Sequence, residues 1–332
     1  MMKLLRSSSR VTMAVLLLAL LAHNPLAAAQ PDAAAPGNAQ TPPVQGQRVF
    51  TCGHSFHVFV YRLVSEMAKA AGIHDHQNAG LSAIGGSRVI QHWDVPDEKN
   101  QAKAALRAGQ VDVLTLAPIW LPDQGIDNFA QLCSEHAPGV RITVQEFWLP
   151  NDTYEPVYPL DTRKPVDHNA TDLKELQKSQ ARYLQDLGDY VRGINRRLGK
   201  DLLCVVPVGQ AALALREKIA ANQAPGLKMQ WDLFRDPWGH AQAPLMVLSG
   251  YCHFAVIYRR SPVGLPPPDL LRNYRRIVSD VRLRKPGWRP SPEELQQAES
   301  LTSQEQEDLN RLLQQLAWDA VARHPLSGVA PR

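Results

Sequence analysis

Hydrophobic positions along the chain recur in two periods, one suited to strands and one to helices. Val49, Phe50, Thr51 and Cys52 form a short β-branched and aromatic run that ends at Gly53. Phe56, Phe59, Val60, Leu63, Val64, Met67 and Ala71 then fall on one helical face. This spacing predicts a strand, a turn carrying His54 and Ser55, and a helix. Ser55 then either caps that helix or stands at the carboxyl edge of a sheet, where ligand crevices open in α/β folds. Farther on, strands are predicted at 80–86, 111–117, 140–148 and 201–208, and helices at 97–108, 125–136 and 210–222. Asp172 begins a long amphipathic helix with Leu173, Leu176, Leu187, Tyr190, Val191, Ile194 and Leu198 on its apolar face. The intervening stretch 150–169 is polar and proline-rich and reads as a surface excursion.

Alternation of strand and helix about five times predicts an α/β fold, a three-layer αβα arrangement around a roughly five-stranded parallel sheet. The stretch 244–258 is apolar nearly all round and reads as a buried helix. The stretch 262–292 is rich in proline and arginine, with Arg272, Arg275, Arg276, Arg282 and Arg284 inside thirteen residues. It reads as a solvated arm, or as a patch for an anionic ligand. Leu309, Leu312, Leu313, Leu316, Ala317, Ala320 and Val321 mark a last helix that docks back on the domain.

The beginning of the chain has a different character. Lys3, Arg6 and Arg10 precede an apolar run from Met13 to Ala22, and Ala27-Ala28-Ala29 follows. This is the pattern of a cleaved signal peptide, so export to a periplasmic or extracellular location is expected. The expected organisation is a signal peptide at 1–29, a flexible linker at 30–46, the main α/β domain at 47–265, and an arm with a docking helix at 266–332. Loss of the signal removes three basic residues and lowers the formal charge from +4 to +1. A nearly neutral mature protein offers no electrostatic case for nucleic acid, and no later segment is long and apolar enough for a membrane. Cys52, Cys133, Cys204 and Cys252 contain no C-x-x-C pair and suit either disulfides or buried thiols.

The candidate chemistry lies in two blocks far apart in the chain. Gly53-His54-Ser55 sits where strand becomes helix, and Asp236-Pro237-Trp238-Gly239-His240 precedes the buried helix. An Asp and a His in one loop can present an oriented imidazole to a serine elsewhere. With Gly85-Gly86-Ser87 at the end of the second predicted strand, these blocks resemble those of the SGNH (GDSL-like) hydrolases, a secreted bacterial branch in particular, over residues 49–265. The resemblance implies a flavodoxin-like SGNH fold and an esterase or deacetylase acting on acylated carbohydrate or another small ester, with no cofactor. It implies Ser55 as nucleophile, His240 as base and Asp236 as its orienter, with the N–H groups of Ser55 and Gly86 binding the oxyanion. His54, Trp120 and Trp238 are the candidate substrate contacts.

Three positions differ from the family pattern. His54 replaces an Asp or Asn, three residues separate Asp236 from His240 where two are usual, and Ala117-Pro118 stands where the third block carries an asparagine. Competing readings are an SGNH-like shell that grips a glycan or peptide without turnover, with Trp93, Trp120, Trp148 and Trp238 placed to stack on a sugar, a metal site built from His54, His57, His74, His76 and His92, and Ser87 as nucleophile.

Overall fold

The computed structural model describes residues 44–154, 166–278, 280, 281, 284, 285 and 287–329. The expected signal peptide and most of the expected linker lie outside them. Five strands form the main sheet: β1 (Arg48–Gly53), β2 (Gln77–Ala83), β3 (Val113–Leu116), β4 (Arg141–Gln145) and β5 (Leu203–Val206). Their order is β2-β1-β3-β4-β5, and every pairing is parallel. Strands β3 and β5 are buried at all positions, as expected of a parallel sheet covered on both faces. The chain goes out from β1 to β2 and returns across it to β3, so the order reverses between β1 and β3. In doubly wound folds that reversal opens a crevice at the carboxyl ends of the strands, and Ser55 follows β1 at this point.

Two groups of helices flank the sheet. In one, α1 (Val60–Ala70), α6 (Val208–Ala220), α7 (Ala243–Tyr258) and α10 (Ser303–Arg323) pack together. In the other are α2 (Val89–Trp93), α3 (Gln101–Arg107) and α4 (Gln124–His136), with α5 (Leu173–Leu198) touching both α4 and α6. Helix α7 is buried from Val247 to Tyr258, because an all-round apolar surface is satisfied only inside. Beyond it, α8 (Asp269–Arg272), a two-stranded ribbon of β6 (Arg275–Arg276) and β7 (Glu299–Ser300), and α9 (Pro292–Gln297) lead to α10. The α/β architecture is therefore the one expected, with its five parallel strands and helical flanks.

Several boundaries differ for physical reasons. Strand β2 begins earlier than predicted, because Gln77-Asn78-Ala79 is an edge segment with little apolar signal. Helix α1 starts only at Val60 with Phe59 at its N-cap, so Ser55 does not cap it. Residues 54–59 coil through turns instead, with His57 N–H and Val58 N–H donating to His54 O at 2.8 and 3.0 Å. Where it is described, the stretch 150–169 is not a mere surface excursion, since Asn151, Tyr154 and His168 are buried; 155–165 lie outside the described residues. Nor is the arginine-rich arm simply solvated: Arg276 and Arg284 are buried, while Arg282 lies outside the described residues. All four cysteines are free and buried, and burial pushes their thiol pKa values up.

Candidate active site

The turn after β1 is built on the side chain of His57. A Cβ at position 53 would lie 2.5 Å from His57 Cδ2, so only glycine lets that ring tuck beneath the turn. His57 Nδ1 is 2.9 Å from Gln145 Oε1, and His57 Nε2 is 2.8 Å from the Thr115 hydroxyl. Gln145 Nε2 donates to Phe56 O at 3.1 Å, which turns Oε1 toward His57 and toward His253 Nε2 at 3.0 Å. Nδ1–H of His57 is thus the donor, and its Nε2 accepts from Thr115. Burial drives the His57 pKa down to about 4, in keeping with a neutral ring. Residues at the ends of β3 and β4 therefore hold the Ser55 turn from below.

The sheet and its loops bring Ser55, His240 and Asp236 into one hydrogen-bonded line. Ser55 Oγ is 2.9 Å from His240 Nε2, and His240 Nδ1 is 2.8 Å from Asp236 Oδ2. The carboxylate accepts only, so His240 carries its proton on Nδ1 and leaves Nε2 to accept from the Ser55 hydroxyl. Asp236 also accepts from His240 N–H at 3.2 Å and Gly287 N–H at 3.0 Å. Burial alone would push this carboxyl up, but the His240 contacts and the two N–H groups outweigh it and hold Asp236 below the usual range. Asp236 is fully buried, whereas Ser55 and His240 keep partial access to solvent.

The extra residue between Asp236 and His240 is taken up by a turn. Gly239 N–H donates to Asp236 O at 2.9 Å, with Pro237 at the second position and Gly239 at φ +85. Arg235 N–H to His240 O at 2.9 Å and the antiparallel bridge between Phe234 and Ala241 close the hairpin below it. Its carbonyls are then held from the segment after β4. Trp148 Nε1 donates to Gly239 O at 2.9 Å, and Asn151 N–H to Trp238 O at 3.4 Å. His168 Nε2 lies 3.0 Å from Asp236 O.

The oxyanion candidates lie on neighbouring loops. Gly86 follows β2 at φ +60, in a loop fixed by His92, whose Nδ1 and Nε2 are 2.7 and 2.8 Å from the Ser82 and Ser87 hydroxyls. Ser87 is only 1% exposed, which removes it as an attacking group. After β3, Ala117 and Pro118 bring no side-chain amide to the site. His54 is buried, not open to substrate; its Nδ1 accepts from Phe56 N–H at 3.3 Å, and burial and neighbouring histidines push its pKa down to about 3. Trp238 is half-buried with its ring 5.9 Å from that of His240, and Trp120 is half-buried after β3. Phe56 packs closer, with its ring 4.7 Å from His240.

The histidines of the metal reading do not converge. His57 and His92 are engaged as described, His76 bonds Tyr258 and Asn78, and His74 is exposed. Among the described residues no three His, Cys, Asp or Glu side chains are grouped to hold a metal ion. Sequence reasoning missed Gln145, Asp152, His168 and Gly287, which act on the site only through tertiary contacts, and Trp148, expected as a stacking surface, is buried and holds the Gly239 carbonyl instead. The nearest sequence signal is the density of aromatic and polar residues at 145–152, across the end of the strand predicted at 140–148.

Among solved structures, the chain is similar to a DUF4886 family protein from Bacteroides uniformis ATCC 8492, at 12% identity and TM-score 0.44, covering 84% of this chain and 95% of that one. It is also similar to one described as "a putative SGNH hydrolase from Slackia heliotrinireducens", at 15% identity and TM-score 0.36, covering 63% of this chain and 97% of that one. No protein-family model and no curated protein matches the chain.

Proposed function

We propose that this protein is a serine esterase or deacetylase of SGNH type, exported and acting on acylated carbohydrate or another small ester. The observation that carries the reading is the unbroken line from the Ser55 hydroxyl through His240 to Asp236, 2.9 and 2.8 Å long at its two steps. In the proposed reaction Ser55 Oγ attacks the ester carbonyl while His240 Nε2 takes the hydroxyl proton. Asp236 steadies the resulting imidazolium, and the oxyanion is met by the N–H groups of Ser55 and Gly86. Collapse of the adduct breaks the ester C–O bond, and His240 returns the proton to the departing alcohol. Water then attacks the acyl-Ser55 with His240 again as base, releasing the carboxylic acid and free Ser55.

Carbohydrate as the alcohol portion rests on the family resemblance and on expected export. The partially exposed Trp238 beside His240 is the candidate stacking surface. A glycan-binding shell without turnover is the second reading, favoured by Ala117-Pro118 standing in place of an amide donor. Removing one such donor costs about 3 kcal/mol of transition-state stabilisation, so the proposed enzyme is slow rather than inactive. Steady release of acetate from an acetylated oligosaccharide or p-nitrophenyl acetate supports the enzyme. Saturable glycan binding with no acid released supports the shell.

A further inference from the structure

A second carboxylate–imidazole pair lies behind Asp236 and His240, with His168 fully buried and the Asp152 side chain nearly so. His168 Nδ1 is 2.9 Å from Asp152 Oδ2, and its Nε2 is 3.0 Å from the main-chain oxygen of Asp236. Arg216 grips the same carboxylate, with Nη1 2.5 Å from Oδ1 and Nη2 2.9 Å from Oδ2, and the Thr171 hydroxyl also donates to it. Burial alone would push the Asp152 carboxyl up, but His168 and Arg216 outweigh it and hold the group far below its usual range. Asp152 is therefore an ionised acceptor, and a peptide carbonyl accepts too. A neutral imidazole has one N–H and can serve only one of them. Both contacts are hydrogen bonds only when both ring nitrogens are protonated.

The surroundings hold this ring in one place. Trp231 and Phe234 pack on it with centroids 4.7 and 4.3 Å away. Arg216 Nη2 also reaches His168 O at 3.3 Å, which ties the 166–170 turn to α6. Asn151 and Asp152 both have φ +53, a left-handed conformation costly for side-chain-bearing residues and found where surrounding contacts over-determine it. The carbonyl that His168 meets belongs to the residue whose carboxylate orients His240.

We propose that His168, as an imidazolium clamped by Asp152, is a positioning residue that fixes the Asp236 peptide and thereby aims the Asp236 carboxylate at His240. The role in turnover rests on the Ser55–His240–Asp236 reading, but the clamp itself can be tested without turnover. In protein labelled with 15N-histidine, the His168 ring is expected to show two N–H protons at neutral pH. His168→Gln is then expected to shift or broaden the His240 Nδ1–H resonance. It should also lower kcat for p-nitrophenyl acetate roughly 10- to 100-fold with KM nearly unchanged, as befits a lost hydrogen bond to a buried carbonyl. A single ring proton on wild-type His168 overturns the proposal even if the variant does not fold. So does a folded His168→Gln protein with unchanged His240 resonance and kcat. Two ring protons and a shifted His240 signal in a protein without turnover support the clamp and remove the hydrolase reading instead.

Discussion

The Ser55 hydroxyl and the His240 ring meet at 2.9 Å although 185 positions separate them in the chain. Ser55 reaches that point on the strand where the sheet order reverses. His240 reaches it on a hairpin whose three backbone carbonyls are each held by a donor from residues 148–168. The sheet thus sets the Ser55 hydroxyl, and a separate scaffold around α5 and α6 sets the His240 ring.

Asp236→Asn keeps the shape of the turn but removes the charge that fixes the His240 proton on Nδ1. An amide NH2 facing Nδ1 favours the other tautomer and leaves Nε2 protonated toward Ser55. Esterase kcat is expected to fall roughly 10³- to 10⁴-fold with a nearly unchanged KM. Steady-state kinetics checks this, and a loss below tenfold would assign the orienting role elsewhere.

Gly53→Ala tests the packing under the Ser55 turn without touching Ser55, His240 or Asp236. The new methyl would stand 2.5 Å from His57 Cδ2 and 2.9 Å from His57 Cβ, which forces the turn to move. Overpacking of this kind costs about 1–3 kcal/mol. A fall in melting temperature accompanied by a larger fall in kcat is expected. Unchanged kcat would mean that the His57 anchor does not set the Ser55 position.

Acid should destabilise the fold well above the usual carboxylate range. Burial holds His57, His92 and His324 at about 4 and His54 at about 3, against an unfolded value near 6.5. Between those values the unfolded chain binds more protons, so stability is full above about pH 6.5 and falls as pH drops toward 4. Glu146 acts in the opposite sense: burial raises it to about 7, so its contribution is present at low pH and lost as pH rises through 7. Four histidines outweigh one carboxyl, and melting temperature is expected to climb from pH 4 to about 6.5. A flat profile over that interval would contradict buried neutral imidazoles.

Much of this arrangement is legible in the sequence, but unevenly. The buried strands β3 and β5 announce themselves as continuous apolar runs, and α7 as a helix apolar on all sides. Ser55, Asp236 and His240 stand in recognisable blocks, so their side chains could be singled out before any geometry. Edge strand β2 is weakly marked because Gln77-Asn78-Ala79-Gly80 buries little surface. His168 is illegible for another reason: its partners, Asp152 at 16 positions and Asp236 at 68, meet it only after α5 and α6 have packed. Gly287 contributes a backbone N–H, which no side-chain pattern can reveal.

Labelling of the nucleophile tests the central claim most directly. Wild-type protein treated with a fluorophosphonate and read by intact mass and peptide mapping is expected to carry one adduct, on Ser55. Ser55→Ala is expected to carry none and to lose esterase turnover while keeping its melting temperature, and His240→Ala to label far more slowly. A wild-type protein that stays unmodified, or Ser55→Ala protein that still turns over ester, would contradict the assignment of Ser55 as the attacking group.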